Sequence, residues 1–311
     1  MVTLLSAIVM INMNFSVIIP TYKRKKDLNT CIKSVLSQTR FPDEVIIVDD
    51  DSLPDDFIQK INNDLGEKGI DLVYHQKNHQ KNRRGSSTSR NVGISLALEE
   101  ICFILDDDLI LDENFLEAIM DTWQQSDDAD LVGIGGVIKN NRKRIWIENI
   151  YSTFFGLSEE RQWDVNAVAF QSWDDWIQKK QQGFYVHGGV CAYKKSLVEK
   201  LGGFTVFGDG RNALEDIDFC LRAKQSNFHF IIQPLAKVIH NHSSSGREGS
   251  FLSGWKEGYN RKVIFRNNCE KSMKNYLWFG WANIGWILRQ FLTGKLAKGF
   301  GMIKGLLTPQ K

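Results

Sequence analysis

Cysteine is scarce in this sequence, and no two cysteines lie close together. A disulfide framework or a tetrahedral zinc site uses cysteines at short, regular intervals, so both are disfavoured as organising features. Three of the five cysteines lie inside apolar runs, where cysteine behaves as a small buried residue. The pattern indicates a protein of a reducing compartment. The five are Cys31, Cys102, Cys191, Cys220 and Cys269.

Strong net charge and long apolar runs are also lacking. The formal net charge is only +2 over 311 residues, so the chain as a whole has no strong attraction to nucleic acid. The longest near-continuous apolar run, Tyr276 to Leu288, covers about 13 residues, whereas a bilayer-spanning helix needs about 20. Hydrophobic residues make up 42% and charged residues 24%, which is typical of a folded globular protein.

The first residues, MVTLLSAIVMINM, form an apolar leader that lacks the basic start of a signal peptide. The leader is also too short to cross a bilayer. We therefore expect residues 1–13 to precede the folded domain, with Met13 as a candidate true start and a signal peptide as the less favoured alternative.

Strand and helix patterns alternate through the first half of the chain. The segments FSVIIPTY, EVIIVDDDS, DLVYH and ICFIL are apolar and bounded by turn residues, which predicts strands. Between them, apolar residues recur at helical spacing, as in Leu28, Cys31, Ile32, Val35 and Leu36. Strands that are apolar on both faces are typical of a parallel sheet with helices on either side. The sequence thus predicts an α/β fold with a mostly parallel, Rossmann-like sheet.

Two of the predicted strands end in acidic turns, Asp49–Asp51 and Asp106–Asp108. The carboxyl ends of parallel strands meet at one edge of the sheet, and ligands bind at that edge. Carboxylates that lie so close together repel one another, so a positively charged partner is expected beside them. Carboxylates at positions i and i+2 of a tight turn can hold Mg²⁺ or Mn²⁺ with positions left open for phosphate oxygens.

Two common phosphate-binding loops are missing. The first strand is followed by Pro20-Thr21-Tyr22-Lys23 rather than by G-x-G-x-x-G, which disfavours a dinucleotide-dependent hydride transfer. There is also no G-x-x-x-x-G-K-[ST], so a Walker-type phosphate cradle is excluded.

Six motifs then occur in order: VIIPTYKR, DEVIIVDDDS, SSTSRNVGI, FILDDD, GGF and LEDIDFCLRA. Together they resemble the inverting family 2 glycosyltransferases of the GT-A fold, of bacterial surface-polysaccharide type. The resemblance covers about Phe15 to Ser245. It departs from the family pattern at Asp51, where a glycine is usual, and at Thr205, where an acidic residue usually follows GGF.

The resemblance implies a set of site residues. Asp106, Asp108 and His240 would hold the metal, Mg²⁺ or Mn²⁺. Asp216 would be the general base, with Glu215, Asp218, Gly188 and Gly189 contacting or supporting the acceptor. The nucleotide-sugar would contact Pro20, Thr21, Tyr22, Asp49, Asp50, Arg90, Asp106 and Asp107.

Each of these roles has a structural alternative. Tyr22 could be packed in the core, and Arg90 could pair on a helix surface. Gly188 and Gly189 could simply allow a close approach of the backbone. The acids of LEDID could cap a helix, although three acids exceed what a cap needs. The aromatic-rich segment Asn140 to His187 could stack on sugar rings or form core beneath a long loop.

The resemblance and the composition together predict how the chain is divided into domains. Residues 14–245 would form the GT-A domain, with a nucleotide-binding half (14–136) and an acceptor half (137–245). Residues 246–311 would form a helical extension. From Lys271 onward there are seven Lys or Arg, no Asp or Glu, and Trp278, Trp281 and Trp286. Such a segment is typical of the membrane interface, and a helix pair docked on the core or an oligomer contact is the alternative.

The functional expectation is therefore a hexosyl- or deoxyhexosyltransferase. It would move a sugar from a UDP- or dTDP-sugar type of donor to a hydroxyl of a glycan or lipid-linked glycan, with inversion. We expect it to be cytoplasmic and peripheral on the inner face of the cell membrane. The alternatives are a nucleotidyltransferase of sugar-nucleotide metabolism and a non-catalytic nucleotide-sugar-binding or membrane scaffold protein.

Overall fold

The computed structural model describes residues 13–141, 145–157, 179–183, 185–208, 213–243 and 248–309. Within these ranges nine strands join in one sheet. The strands are β1 (Phe15–Thr21), β2 (Glu44–Asp49), β3 (Asp71–Gln76), β4 (Ile101–Leu105), β5 (Leu109–Leu111), β6 (Leu131–Ile138), β7 (Gln181–Gly183), β8 (Val190–Lys194) and β9 (His229–His240). The helices are α1 (Lys25–Leu36), α2 (Asp55–Gly66), α3 (Ser86–Leu96), α4 (Phe115–Gln124), α5 (Trp146–Phe154), α6 (Lys195–Lys200), α7 (Glu215–Gln225), α8 (Ser250–Asn268), α9 (Met273–Leu292) and α10 (Leu296–Leu307).

The four strands predicted from the sequence form the parallel half of the sheet, in the order β3-β2-β1-β4. Every residue of β2 and of β4 is buried, in keeping with their apolar composition. Next along the sheet, β8 pairs antiparallel with β4 and β6, while β9 runs parallel to β6. The mostly parallel sheet is confirmed. Strand β8 is inserted in it antiparallel to its neighbours, and β5 and β7 pair antiparallel with β9.

Alternate residues of the central strands enter two cores on opposite faces of the sheet. Val17 and Ile19 of β1 join the core beneath α1, α2 and α4, which includes Phe115. Ile18 joins the other core, beneath α3, α7 and α8, which includes Phe219. The alternation follows from the two-residue period of a strand, and it explains why these strands carry apolar residues on both faces.

Several residues singled out in the sequence lie outside the described part of the chain. They are residues 1–12 of the leader and the aromatic residues Trp163, Phe170, Trp173, Trp176 and Phe184. Of the same aromatic segment, the structure describes α5, a helix that the sequence analysis did not predict.

The predicted helical extension consists of α8, α9 and α10, and α8 docks on the catalytic core. Ile264, Phe265 and Cys269, in α8 and at its end, are buried in the core beneath α3 and α7. The Asn268 amide also donates a hydrogen bond of 2.8 Å to the Asp218 carboxylate of α7. Helix α8, which precedes Lys271, is therefore packed on the core.

Helices α8 and α10 are held together by glycines. A methyl group at Gly254 or Gly258 of α8 would overlap the backbone of α10, and one at Gly301 or Gly305 would overlap the backbone of α8. Glycines four residues apart on both helices thus let the two backbones touch. Beside this contact, the buried Glu257 of α8 accepts hydrogen bonds from its own helix and from α10, and the surrounding cations lower its pKa to about 2 against the opposing effect of burial.

Among the described residues, no helix is both long enough and apolar enough to cross a membrane.

The glycine contact predicts a selective loss of stability. Gly301→Ala places a methyl group against the Phe251 carbonyl, and neither backbone can move without separating α8 from α10. We expect a loss of about 1–3 kcal/mol in the free energy of unfolding, measured by thermal or urea denaturation. Gly280→Ala in α9 is the matched control, because nothing lies within 4 Å of its added methyl group. A stable Gly301→Ala protein would contradict the contact.

Candidate active site

The acidic turn that follows β4 receives a cation from the chain itself. Asp107 is buried and accepts hydrogen bonds from the Thr21 hydroxyl at 2.8 Å and from the Arg24 guanidinium at 3.0 Å. Burial raises the pKa of Asp107 to about 6, and Arg24 and Thr21 only partly oppose that rise. Arg24, just before α1, was not predicted as a site residue. Asp107 thus joins the acidic turn to the end of β1.

Asp106, Asp108 and His240 form the one group of three potential metal ligands found among the described residues. One ligand atom from each lies within 4.8 Å of the others. Antiparallel pairing of Leu109 with His240 brings the end of β9 beside the acidic turn. The arrangement agrees with the predicted metal set.

His240 is positioned from two sides. Its Nε2 lies 3.0 Å from Asp108 Oδ1, and its backbone exchanges hydrogen bonds with the Asn140 side chain at 2.9 and 3.0 Å. Burial alone would raise the pKa of Asp108, but His240, the Ser243 amide and Arg24 outweigh burial and lower it to about 2. Asp108 therefore stays ionised. Two carboxylates and one imidazole form a donor set that fits a hexacoordinate divalent ion such as Mn²⁺.

Arg90 of α3 connects the acidic turn to α7. Its buried guanidinium lies 3.3 Å from Asp106 and 2.8 Å from Glu215, which also accepts a hydrogen bond of 2.6 Å from the Ser86 hydroxyl. Burial would lower the pKa of Arg90, but the carboxylates of Glu215, Asp106 and Asp216 outweigh burial and raise it. The structure places Arg90 inside the acidic cluster rather than on a helix surface.

Gly188 and Gly189 let the site close up around Arg90 and Asp106. A side chain at Gly188 would collide with the Arg90 guanidinium, and one at Gly189 would collide with the Asp106 carboxylate. The Asp106 amide also donates to the Gly189 carbonyl at 3.0 Å. Both glycines occupy positions of close approach, which was the structural alternative to an acceptor contact.

The three acids of α7 have different surroundings. Glu215 is bound to Arg90 and Ser86, whereas Asp218 is buried and accepts hydrogen bonds from Thr205, Arg222 and Asn268. These partners hold Asp218 within the fold. Asp216 is only half-buried. Just before these acids, Leu214 has φ +71°, a left-handed conformation that is costly for leucine.

Asp216 is oriented by a buried tyrosine. Its Oδ2 accepts a hydrogen bond of 2.8 Å from the Tyr185 hydroxyl, and its Oδ1 accepts one of 2.9 Å from the Ile217 amide. The Tyr185 hydroxyl also lies 3.2 Å from Nδ1 of His187. Burial, together with the nearby Asp216 charge, raises the pKa of Tyr185 well above its ordinary value, so the phenol stays a donor.

Asp49, the last residue of β2, and Asp50, which follows it, are placed differently. Asp49 is almost fully buried and accepts hydrogen bonds from the amides of Asp51 and Leu53 and from the Tyr74 hydroxyl. It shapes the turn and does not line the cavity, which differs from the predicted nucleotide contact. Asp50 does line the cavity, where the buried Lys77 amine lies 3.0 Å away.

A cavity of about 730 Å³ collects most of these side chains at the carboxyl edge of the sheet. Of the residues predicted from sequence, it is lined by Pro20, Thr21, Tyr22, Asp50, Arg90, Asp106, Asp107, Asp108, Glu215 and His240. The predicted residues that do not line the cavity are Asp49, Gly188, Gly189, Asp216 and Asp218. The cavity has room for a nucleotide-sized ligand and carries acids and cations side by side.

Cations missed by the sequence analysis also line the cavity: Lys23, Arg24, Arg84 and Lys256. Arg84 lies in the basic run NRRG just before α3, a signal that could have identified it. Lys256 belongs to α8, and nothing in the local sequence pattern points to a site there. Its side chain is buried, with the amine 2.6 Å from Glu248. The extension thus contributes to the wall of the cavity.

The fold and the site have counterparts among known proteins. A glucosyl-dolichyl phosphate glucuronosyltransferase of Haloferax volcanii is 25% identical over 262 residues, covering 81% of this chain and 77% of that protein. The structure resembles a mannosyltransferase of Pyrobaculum calidifontis solved with GDP-Man and Mn²⁺ (TM-score 0.60, 15% identity, 94% of this chain and 87% of that one). It also resembles residues 1–349 of TarS from S. aureus solved with UDP-GlcNAc (TM-score 0.61, 18% identity, 94% and 80%).

These structural likenesses establish the GT-A fold that the sequence predicted. A sequence profile described as Glycosyl transferase family 2 matches residues 16–202, which is more than half of the chain and includes both acidic turns, Arg90 and the paired glycines. The chain therefore belongs to glycosyl transferase family 2.

Proposed function

We propose that this protein transfers a sugar from a nucleoside-diphosphate sugar to a hydroxyl group, with inversion, assisted by a divalent metal. The observation that carries the proposal is the cavity in which Asp106, Asp108 and His240 lie beside several cations. A diphosphate needs positive charge from both metal and protein, and this cavity offers both. The donors bound by the two structural neighbours, GDP-Man and UDP-GlcNAc, support the same class of ligand.

Donor binding would use the edge of the cavity between β1 and α3. Tyr22 presents a half-exposed ring there, with the Arg84 guanidinium 5.8 Å from its centre, which suits stacking on a base. Asp50 would accept hydrogen bonds from the base or ribose. Asp106, Asp108 and His240 would hold the metal, Mg²⁺ or Mn²⁺, and the imidazole favours Mn²⁺. When bound, the metal would offset the negative charge of the diphosphate.

Asp216 is the proposed general base. Of the three acids at the start of α7, Glu215 is engaged by Arg90 and Asp218 by three donors, whereas Asp216 is half-buried. An oxygen of Asp216 would accept the proton of the acceptor hydroxyl as that hydroxyl oxygen forms its bond to the anomeric carbon. The bond to the diphosphate would break on the opposite face of the sugar, which gives inversion.

The finer identity of donor and acceptor is part of the proposal. We propose a UDP- or dTDP-linked hexose or deoxyhexose as donor and a glycan or lipid-linked glycan as acceptor. The lipid-linked class is supported by the Haloferax volcanii relative, whose name includes dolichyl phosphate. We further propose a cytoplasmic enzyme peripheral on the inner face of the cell membrane, which the basic extension from Lys271 onward supports.

The first test is donor turnover. We expect release of a nucleoside diphosphate from at least one member of a panel of nucleotide-sugars, in the presence of Mn²⁺. Asp216→Asn should lower turnover by about 10²–10⁴-fold with little change in donor affinity, because Asn cannot accept the proton. Donor affinity is measured by calorimetry in the absence of acceptor.

The other α7 acids provide the matched controls. Glu215→Gln breaks the pair with Arg90 and should weaken donor binding more than Asp216→Asn does. Asp218→Asn should lower the melting temperature, since it alters a buried hydrogen-bond centre. If Asp216→Asn turns over normally while Glu215→Gln is inactive, the base is the neighbouring residue.

The second test concerns the metal. We expect a nucleoside diphosphate such as UDP to bind much more tightly with Mn²⁺ than in EDTA, because phosphate oxygens complete the coordination shell. Asp108→Asn should remove most of the Mn²⁺ dependence. Asp112→Asn is the control, since Asp112 lies four residues later and pairs with Lys139 outside the cluster. Equal affinity with and without metal would exclude the metal role.

The third test concerns Tyr185, which we propose as the residue that positions Asp216. Tyr185→Phe removes the hydrogen bond that stabilises the Asp216 carboxylate. A hydrogen bond to a charged group contributes about 1.5–3 kcal/mol, so Tyr185→Phe should lower kcat by about tenfold or more while donor affinity stays unchanged. Tyr151→Phe, which loses a hydroxyl contact to Gly285, should leave both kcat and donor affinity unchanged.

A further inference from the structure

Helix α9 is amphipathic in the opposite sense to an ordinary surface helix. Its buried residues are polar or small: Asn275, Ala282, Asn283, Gly285 and Gln290. Its exposed stripe is apolar and repeats every three to four residues: Met273, Leu277, Trp281, Ile284, Leu288 and Leu292. A soluble helix turns such a stripe toward its core. No described part of the chain covers the stripe of α9.

Helix α5 extends this apolar surface and is fixed to α9. The Phe155 ring lies against Gly285 and 4.9 Å from the Trp281 ring, and the Trp281 indole donates to the Phe154 carbonyl at 2.7 Å. With its inner side held this way, α5 exposes Trp146, Ile147, Ile150 and Phe154, with Trp146 70% exposed. The two helices enclose a groove of about 430 Å³ between Ile150 and Leu292. Helix α10 adds Leu296 and Phe300.

Positive charge accompanies this surface. Lys271, Lys274, Lys295 and Lys304 are exposed on the extension, and no acidic residue follows Lys271. The one acid of α5, Glu148, lies 3.9 Å from Arg289 of α9. An apolar surface with lysines around it matches the boundary between acyl chains and anionic headgroups.

We infer that the exposed faces of α5, α9 and α10 form a docking surface for an anionic lipid bilayer. The inference deepens the membrane partner of the proposed function, and the chemistry of transfer does not depend on it. The stripe runs along a helix of 20 residues, or about 30 Å, which is longer than a small ligand needs. Because the stripe occupies one side of α9 and the opposite side is buried, the helix would lie in the plane of the interface. A second copy is disfavoured, since two lysine-rich surfaces repel.

The residues that carry this surface differ from those that composition suggested. Of the tail tryptophans, Trp286 points inward, where its indole donates to Glu257 at 2.6 Å and its ring lies 4.8 Å from the Arg261 guanidinium. Trp281 is 37% exposed, at the junction with α5. The surface consists mainly of aliphatic residues, together with Trp146 and Phe154 of a helix outside the extension.

The docking surface and the cavity lie on neighbouring sides of α8. Lys256 lines the cavity, and the next residue, Glu257, binds Trp286 of α9 and Lys298 of α10. Deleting the chain from Lys271 would remove α10 from its glycine contact with α8 and so disturb the cavity wall. Point substitutions on the exposed stripe are therefore the appropriate test.

The experiment is vesicle flotation of the full chain with phosphatidylcholine alone or mixed with phosphatidylglycerol, at low and high salt. We expect flotation with the mixed vesicles, weakened by salt. Leu277→Asp and Ile150→Asp each remove an apolar contact and add repulsion, so each should lower partitioning at least about tenfold. Leu98→Asp and Leu235→Asp are the matched controls, because both leucines are exposed away from this surface.

Any of the following outcomes would overturn the inference. A native chain that does not float with anionic vesicles, or controls that lose binding as much as the test variants, excludes the bilayer. If the stripe variants instead turn a dimer into a monomer in sedimentation, the occupant is a second copy. If they lower the melting temperature by several degrees without vesicles, the chain covers this surface itself. Donor turnover in all four variants should stay native, and its absence in the native chain would contradict the proposed function separately.

Discussion

The repulsion among three consecutive aspartates at the end of β4 is the constraint on which the rest of the site depends. Asp106, Asp107 and Asp108 lie at the carboxyl edge of a buried strand, where water can stabilise them only partly. The chain supplies a partner for each: the Arg90 guanidinium for Asp106, the Arg24 guanidinium for Asp107 and the His240 imidazole for Asp108. These three partners come from α3, the start of α1 and the end of β9. Satisfying one turn therefore brings together distant parts of the fold.

Arg90 extends this constraint to the start of α7. Its guanidinium also binds Glu215, the first residue of α7, so the acidic turn and the α7 acids share one buried charge. Glu215 is thereby occupied, and Asp216 turns to the other side, where Tyr185 holds it. Gly188 leaves the room that this arrangement needs. The different partners of these two adjacent acids thus follow from which of them Arg90 binds.

The sequence predicted what local patterns determine, namely the parallel strands, the two acidic turns and the helix that begins at Glu215. The grouping of His240 with Asp106 and Asp108 was implied only by the family resemblance. The sequence did not identify Arg24, Lys256 or Tyr185, because their roles depend on contacts between residues far apart in the chain. It also treated Asp49 and Asp50 alike, although a one-residue step turns the first toward backbone amides and the second toward the cavity. The helical periodicity of α9 can be recognised in the sequence. Which face of α9 is buried, however, depends on its contacts with Phe155 and Glu257.

Helix α8 joins the segment predicted as an extension to the rest of the fold. Phe265, on one side of α8, is buried in the core. The glycines on another side of α8 pack against the backbone of α10. Between these, Lys256 reaches the cavity while Glu257 binds α9 and α10. A buried carboxylate with three partners resists displacement, since removing any one leaves charge or polar groups unpaired. The apolar stripe is thus attached rigidly to the cavity wall, so a surface that binds the stripe also fixes the direction in which the cavity opens.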